Sequence, residues 1–250
     1  YLIELSVAQQ WDSNYSGAIE AARSALTYLP RDGERDHVIA HSTALDLYAE
    51  AVYYSIDQRQ SLKPYRQALA LLLAYEKRDP DDQIVNRRIA RAQWALGSSL
   101  SGHGDADEAV ALLEESARRS KAILDADPDD EDARRMVRIV ENAQGQALAE
   151  AGRVDDGIAI IRSNIGERKA YLDRRPDDPM RMRDYMVAMK GLGDLQIQHD
   201  RHEEACATYE QARQLIAVIK ARGKLTALDL MSASNEIEDV RKKQCADDAD

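Results

Sequence analysis

The tripeptide Pro-Asp-Asp occurs at Pro80, Pro128 and Pro176, so its copies stand 48 residues apart. A unit recurring every 20 to 50 residues or so marks a solenoid, in which each unit buries its apolar face only by stacking on its neighbour. Laying the copies over one another puts Gly97, Gly145 and Gly193 in one column and Ala109, Gly157 and Ala205 in another. Small residues therefore recur where helices would touch. Leu113, Ile161 and Tyr209 form a third column, and Ile89, Val137 and Tyr185 a fourth, at spacings compatible with helical faces.

Each block reads as two antiparallel helices with a short turn. In the first complete block they run from about Asp81 to Ser101 and from Asp105 to Ala126, joined through Gly102-His103-Gly104. Helices of about 20 residues are about 30 Å long. Pro-Asp-Asp suits a helix start, because proline is tolerated in the first turn and acids there complement the positive end of the helix dipole. Counting back one period from Gly97 lands on Ala49, inside Thr43 to Val52, which reads as another first helix. Its partner runs from about Leu62 to Lys77, and the Pro30-to-Pro80 distance places two extra residues in a loop. After Gly223 a last helix, about Leu225 to Gln244, has no partner and reads as a cap over the final apolar face.

These columns resemble the tetratricopeptide repeat, a helix-turn-helix unit with a small residue in its first helix and alanine early in its second. The best single match is Asn14 through Pro30, in which the family's tyrosine, two alanines and closing proline fall at the expected offsets. Later blocks lengthen the second helix before the proline. The long-helix form, with its Asp-Pro-Asp-Asp and Arg-Arg signatures (Arg87-Arg88 and Arg134-Arg135), is similar to repeat regions attached to bacterial serine/threonine kinases and winged-helix regulators. The resemblance implies an all-α, right-handed superhelical solenoid with a C-terminal capping helix. The expected organisation is a single array over 1–250, with units at about 1–30, 31–79, 80–127, 128–175 and 176–223 and a cap at 225–244.

Composition limits the partners. The formal net charge is −11, the wrong sign for a surface that neutralises phosphates, so nucleic acid is not expected. Docking on anionic lipid is disfavoured too, whereas a basic peptide or protein is attracted. No apolar run approaches the ~18 residues of a membrane span. The first residues carry neither an initiating methionine nor a signal-peptide pattern, which reads as a fragment or processed product. The compartment stays open between a bacterial cytoplasm and a periplasm-facing segment of a membrane-anchored protein, and so does the oligomeric state. Phenylalanine is absent and tyrosine numerous, so ring-filling positions such as Tyr171, Tyr185 and Tyr209 carry hydroxyls that need partners or water if buried.

If helices 204–221 and 225–244 are antiparallel about Gly223, Cys206 and Cys245 come to heights mismatched by about 6 Å. A disulfide could then pin the cap. Two unrelated thiols are the alternative.

Catalytic and metal chemistry is mostly missing. His37 and His41 lie one helical turn apart, but no zinc-protease glutamate or third ligand accompanies them. His199-Asp200-Arg201-His202 falls at a hairpin tip. The acids from Asp125 to Glu131 superficially suggest a calcium loop, yet the sharp-turn glycine is missing and the same acids recur at each block start, where capping explains them. The glycine-rich stretch Gly97 to Gly104 lacks a phosphate loop's lysine. No nucleophile motif or kinase signature is present, so the expectation is a nonenzymatic chain without cofactor or metal. Arg87, Arg135 and Arg183 share a column that could bind a partner's anions or contact the nearby Pro-Asp-Asp acids.

In the resembled family first helices line a concave groove. Carried over by position, its lining is Thr43, Asp46, Glu50 and Tyr53, then Arg91, Trp94, Ser98 and Ser101, then Ile139, Asn142, Gln146 and Ala149, then Val187, Lys190, Asp194 and Ile197. Trp94 is the expected anchor, because tryptophan desolvates a large area; packing against the adjacent unit is its alternative. The basic carboxylate clamp of some relatives is not reproduced. The expected function is a noncatalytic module holding a peptide or protein in the groove. A regulatory region of a larger kinase or transcription regulator, and a small-molecule or carbohydrate sensor, are the alternatives.

Overall fold

The computed structural model describes residues 1–101, 103, 105–223 and 235–245. Every regular element among them is a helix: α1 (Leu2–Trp11), α2 (Tyr15–Tyr28), α3 (Arg35–Ser55), α4 (Gln58–Glu76), α5 (Gln83–Leu100), α6 (Ala106–Ala126), α7 (Glu131–Glu150), α8 (Val154–Arg174), α9 (Pro179–Gln198), α10 (His202–Ala221) and α11 (Asn235–Gln244). The chain divides into two compact bodies, Tyr1–Ala151 and Gly152–Asp250. In the first, each helix packs on its sequence neighbour, and α1, α3, α5 and α7 also touch in succession to form one layer, with α2, α4 and α6 each packed on two consecutive members of it. In the second body α8 packs on α9, α9 on α10 and α10 on α11.

The expected hairpin of the first complete block is present as α5 and α6, with Gly102 and Gly104 outside the described residues. The first helix around Thr43 to Val52 is longer than expected and begins at Arg35, one period before α5. The two extra residues therefore lie between Pro30 and Glu34, ahead of α3. Its partner α4 starts at Gln58, earlier than Leu62, because Asp57 accepts the free N–H of Arg59 at 2.9 Å and opens the helix there. Residues 225–234 of the expected last helix lie outside the described residues; α11 covers the remainder.

One detail of the block starts differs from expectation. Pro80 and Pro128 precede the first helical turn, and the second aspartate is the cap. Asp82 accepts from the N–H groups of Ile84 and Val85 at 2.9 and 3.0 Å, and Asp130 from that of Ala133 at 2.8 Å. A short carboxylate reaches the orphan donors that a proline ring cannot serve. Both carboxyls are held below the usual range, Asp82 first by Arg35 and Asp130 first by the Ala133 N–H.

The small-residue columns lie at helix contacts. Ala109 and Ala205 are fully buried. A Cβ added to Gly97 would stand 2.8 Å from Leu113 Cγ and 3.2 Å from the Ala109 carbonyl oxygen, so glycine sets how closely α5 and α6 approach. Leu113, Ile89 and Val137 are buried in the first body, and Ile161 and Tyr209 in the second.

Candidate functional site

The site lies in the first body, where α3, α4 and α5 meet. On α3, Asp46, Glu50 and Tyr53 follow one helical face, and on α5 Arg91, Trp94 and Ser98 do the same. These six residues, all expected as groove lining, surround one cavity of about 150 Å³. Arg88 ties the two helices together by donating to Thr43 Oγ1 at 3.0 Å.

The interior of this cavity is polar and incompletely paired. Asp46 Oδ1 and Ser98 Oγ are sealed from water and have no hydrogen-bond partner. Burial pushes the Asp46 carboxyl up to about 7; Arg91 and then Arg88 oppose the shift, and Glu50 adds to it. The two guanidiniums act on Asp46 without pairing with it, since Arg88 is committed to Thr43 and Arg91 is exposed. Burial likewise lowers the pKa of Arg88.

Four lining residues were not anticipated: Ala95 and Ser99 on α5, and two tyrosines. Tyr54 stacks on Tyr15 at 5.7 Å between ring centroids and meets Tyr53 edge-on at 5.1 Å, forming an aromatic wall. Tyr65 reaches the cavity from α4 and is 7% exposed. Burial holds its hydroxyl un-ionised well above the ordinary tyrosine range, with Glu50 and Asp46 adding to the effect. Tyr65 falls in the column of Leu113, Ile161 and Tyr209, so the available signal was a hydroxyl at a core position.

The other expected lining residues lie elsewhere. On α7, in the first body, Asn142 is half-buried and Gln146 exposed, and neither borders this cavity. On α9, in the second body, Lys190 Nζ stands 2.6 Å from Asp194 and 3.0 Å from Glu236 of α11. Tyr209 donates to the same Asp194 at 2.7 Å. A second hollow of about 350 Å³, bordered by Arg162, Met189, Leu192, Glu204, Thr208 and Gln211, uses none of the expected columns.

Some of the remaining motifs have structural partners and others do not. His37 Nδ1 lies 2.8 Å from Asp32, while His41 is buried in the Ile89 column with its Nε2 unpaired, and burial lowers its pKa. Among the described residues no group of three or more His, Cys, Asp or Glu is placed to hold a metal ion, and no helix is long and apolar enough to cross a membrane. Asp127 accepts from the Asp129 N–H at 3.2 Å, and Asp130 caps α7. Arg87 pairs with Asp130 at 2.5 Å, whereas Arg135 is exposed. Cys206 of α10 and Cys245, just beyond α11, are joined by a disulfide with their Cα atoms 5.7 Å apart.

No family model matches the sequence, and no curated protein matches it. Solved structures do match. Nearly identical TPR-like repeats from a Podosopora anserina protein assigned as a kinesin light chain superpose with a TM-score of 0.66 at 15% identity, over 88% of this chain and 95% of that one. BtubC (BKLC) from P. vanneervenii gives 0.64 at 16% identity, over 86% and 78%. TTC0263, a thermophilic TPR protein of Thermus thermophilus, gives 0.50 at 17%, over 98% and 97%. The chain thus has the fold of the tetratricopeptide-repeat proteins, an all-α solenoid of helix pairs.

Proposed function

We propose that the chain is a noncatalytic protein-binding module and that the α3–α5 face receives a peptide or protein segment. The supporting observation is the convergence of Asp46, Glu50, Tyr53, Arg91, Trp94 and Ser98 on one cavity that retains sealed, unpaired polar atoms. Such atoms are costly to leave unsatisfied, and a partner group that hydrogen-bonds them recovers that cost on binding. Trp94, half-buried at the rim, is the anchor that adds apolar contact. The fold is also one used by protein-interaction scaffolds. Parallel pull-downs with the wild type and Trp94→Ala test this reading: loss of the recovered partner with the variant supports it, and equal recovery removes the α3–α5 face from the binding surface.

A further inference from the structure

We infer that the cavity between α3, α4 and α5 takes the side-chain ammonium of a lysine presented by the partner. The inference rests on the reading above and names the chemistry of its site. Its warrant is an internal comparison. Asp46, Glu50 and Tyr65 stand three periods before Lys190, Asp194 and Tyr209. In the later set the columns enclose a cation: Lys190 Nζ lies 2.6 Å from Asp194, which also accepts from the Tyr209 hydroxyl at 2.7 Å. The earlier set keeps the acid and the phenol as Glu50 and Tyr65, but an aspartate replaces the lysine. The cation is lost and a second carboxylate gained, and Asp46 Oδ1 is the atom left sealed without a partner.

Neither nearby cation of the chain pairs with Asp46: Arg88 donates to Thr43 Oγ1, and Arg91 borders the cavity without an ion pair to Asp46. A primary ammonium carries three donors, enough to serve the Asp46 and Glu50 carboxylates together. The aromatic rings at the cavity suit the rest of such a ligand: Trp94, Tyr53 and Tyr54 offer apolar faces for a four-carbon stem and favourable ring faces for a cation. A volume of about 150 Å³ takes one side chain, so specificity here is for a single residue of the partner. The second body shows how such a residue is delivered. Glu236, carried on α11, reaches Lys190 at 3.0 Å, so a helix laid beside this column already brings it a charged side chain. At α3 the column's charge is reversed, and the complementary visitor is a cation. The chain's net charge of −11 steers it in the same direction.

The test uses the full chain with Nα-acetyl-lysine N-methylamide as probe, following the two indole N–H signals by NMR; Trp11, which is 85% exposed, serves as internal reference. A saturable shift of the Trp94 signal alone is expected, weakened about tenfold or more with the uncharged norleucine analogue, Asp46→Asn or Glu50→Gln. Equal response to norleucine, or none to lysine, overturns the inference. Selection from a displayed random-peptide library separates the two levels. Trp94-dependent peptides with a required lysine support both; Trp94-dependent peptides without one overturn the lysine assignment and leave the binding face standing. No Trp94-dependent peptide overturns the face itself.

Discussion

The ring of Tyr209 lies against Gly193, close enough that a Cβ on the glycine would stand 2.6 Å from Tyr209 Cε1 and 2.7 Å from its Cζ. The ring has little freedom to withdraw, since its hydroxyl donates to Asp194 on the same helix as Gly193. Gly193→Ala is therefore expected to destabilise the second body by about 1–3 kcal/mol through overpacking, despite the better helix propensity of alanine. Gly97→Ala, which meets Leu113 Cγ at 2.8 Å, should do the same in the first body. Urea titrations followed by circular dichroism check both; a stabilised variant would mean that the helices can part without loss.

Arg87 and Arg135 share a column but not an environment. Arg87 pairs with Asp130, the residue that caps α7, while Arg135 stands exposed. Reversing the charge in Arg87→Glu places two carboxylates together at a helix start and should lower the melting temperature by a few degrees. Arg135→Glu should leave it unchanged. Equal effects in a thermal melt would show that the column acts through net charge rather than through the Asp130 contact.

The repeat and its helix pairs were legible because close helix packing demands small residues, and Gly97, Ala109, Gly193 and Ala205 mark those contacts at a constant period. The walls of the candidate site on α3 and α5 were legible for a related reason: a helix face keeps its spacing. Tyr65 was not, since it comes from the second helix, whose apolar column reads as core. His41 likewise falls in the Ile89 column, so the period marks it as a core position, but not that its Nε2 is left unpaired there. The block starts were located correctly, but which of three consecutive residues caps the helix depends on φ and ψ, which the tripeptide alone does not specify.

The disulfide between Cys206 and Cys245 closes a loop with a sequence separation of 39. Cross-links of that length stabilise by about 2–4 kcal/mol, chiefly by restricting the unfolded chain. Reduction should leave α11 in place, held by Ile237, which is 1% exposed, and by Glu236 on Lys190. It should nevertheless speed amide exchange across Asn235–Gln244. Intact mass under non-reducing conditions gives the first check: two free thiols in unreduced protein would remove the cross-link.

Asp46 should give the first body a pH dependence of unusual sign. Its carboxyl titrates at about 7 in the folded chain and in the ordinary carboxylate range once unfolded. Between those values the folded state holds a proton that the unfolded state has released. Stability from this group therefore falls as pH rises from about 4 to about 7, and is lower above that window than below it. Capping acids such as Asp82, whose pKa is lowered, act in the opposite direction and at lower pH. Asp46→Asn removes the ionisation while keeping the shape, so the variant should match the wild type near pH 5 and exceed it by on the order of 1 kcal/mol near pH 8. Urea midpoints at the two pH values measure the difference. A variant less stable than the wild type at pH 8 would show that Arg88 and Arg91 hold Asp46 ionised within the fold, and that the sealed carboxylate is already compensated.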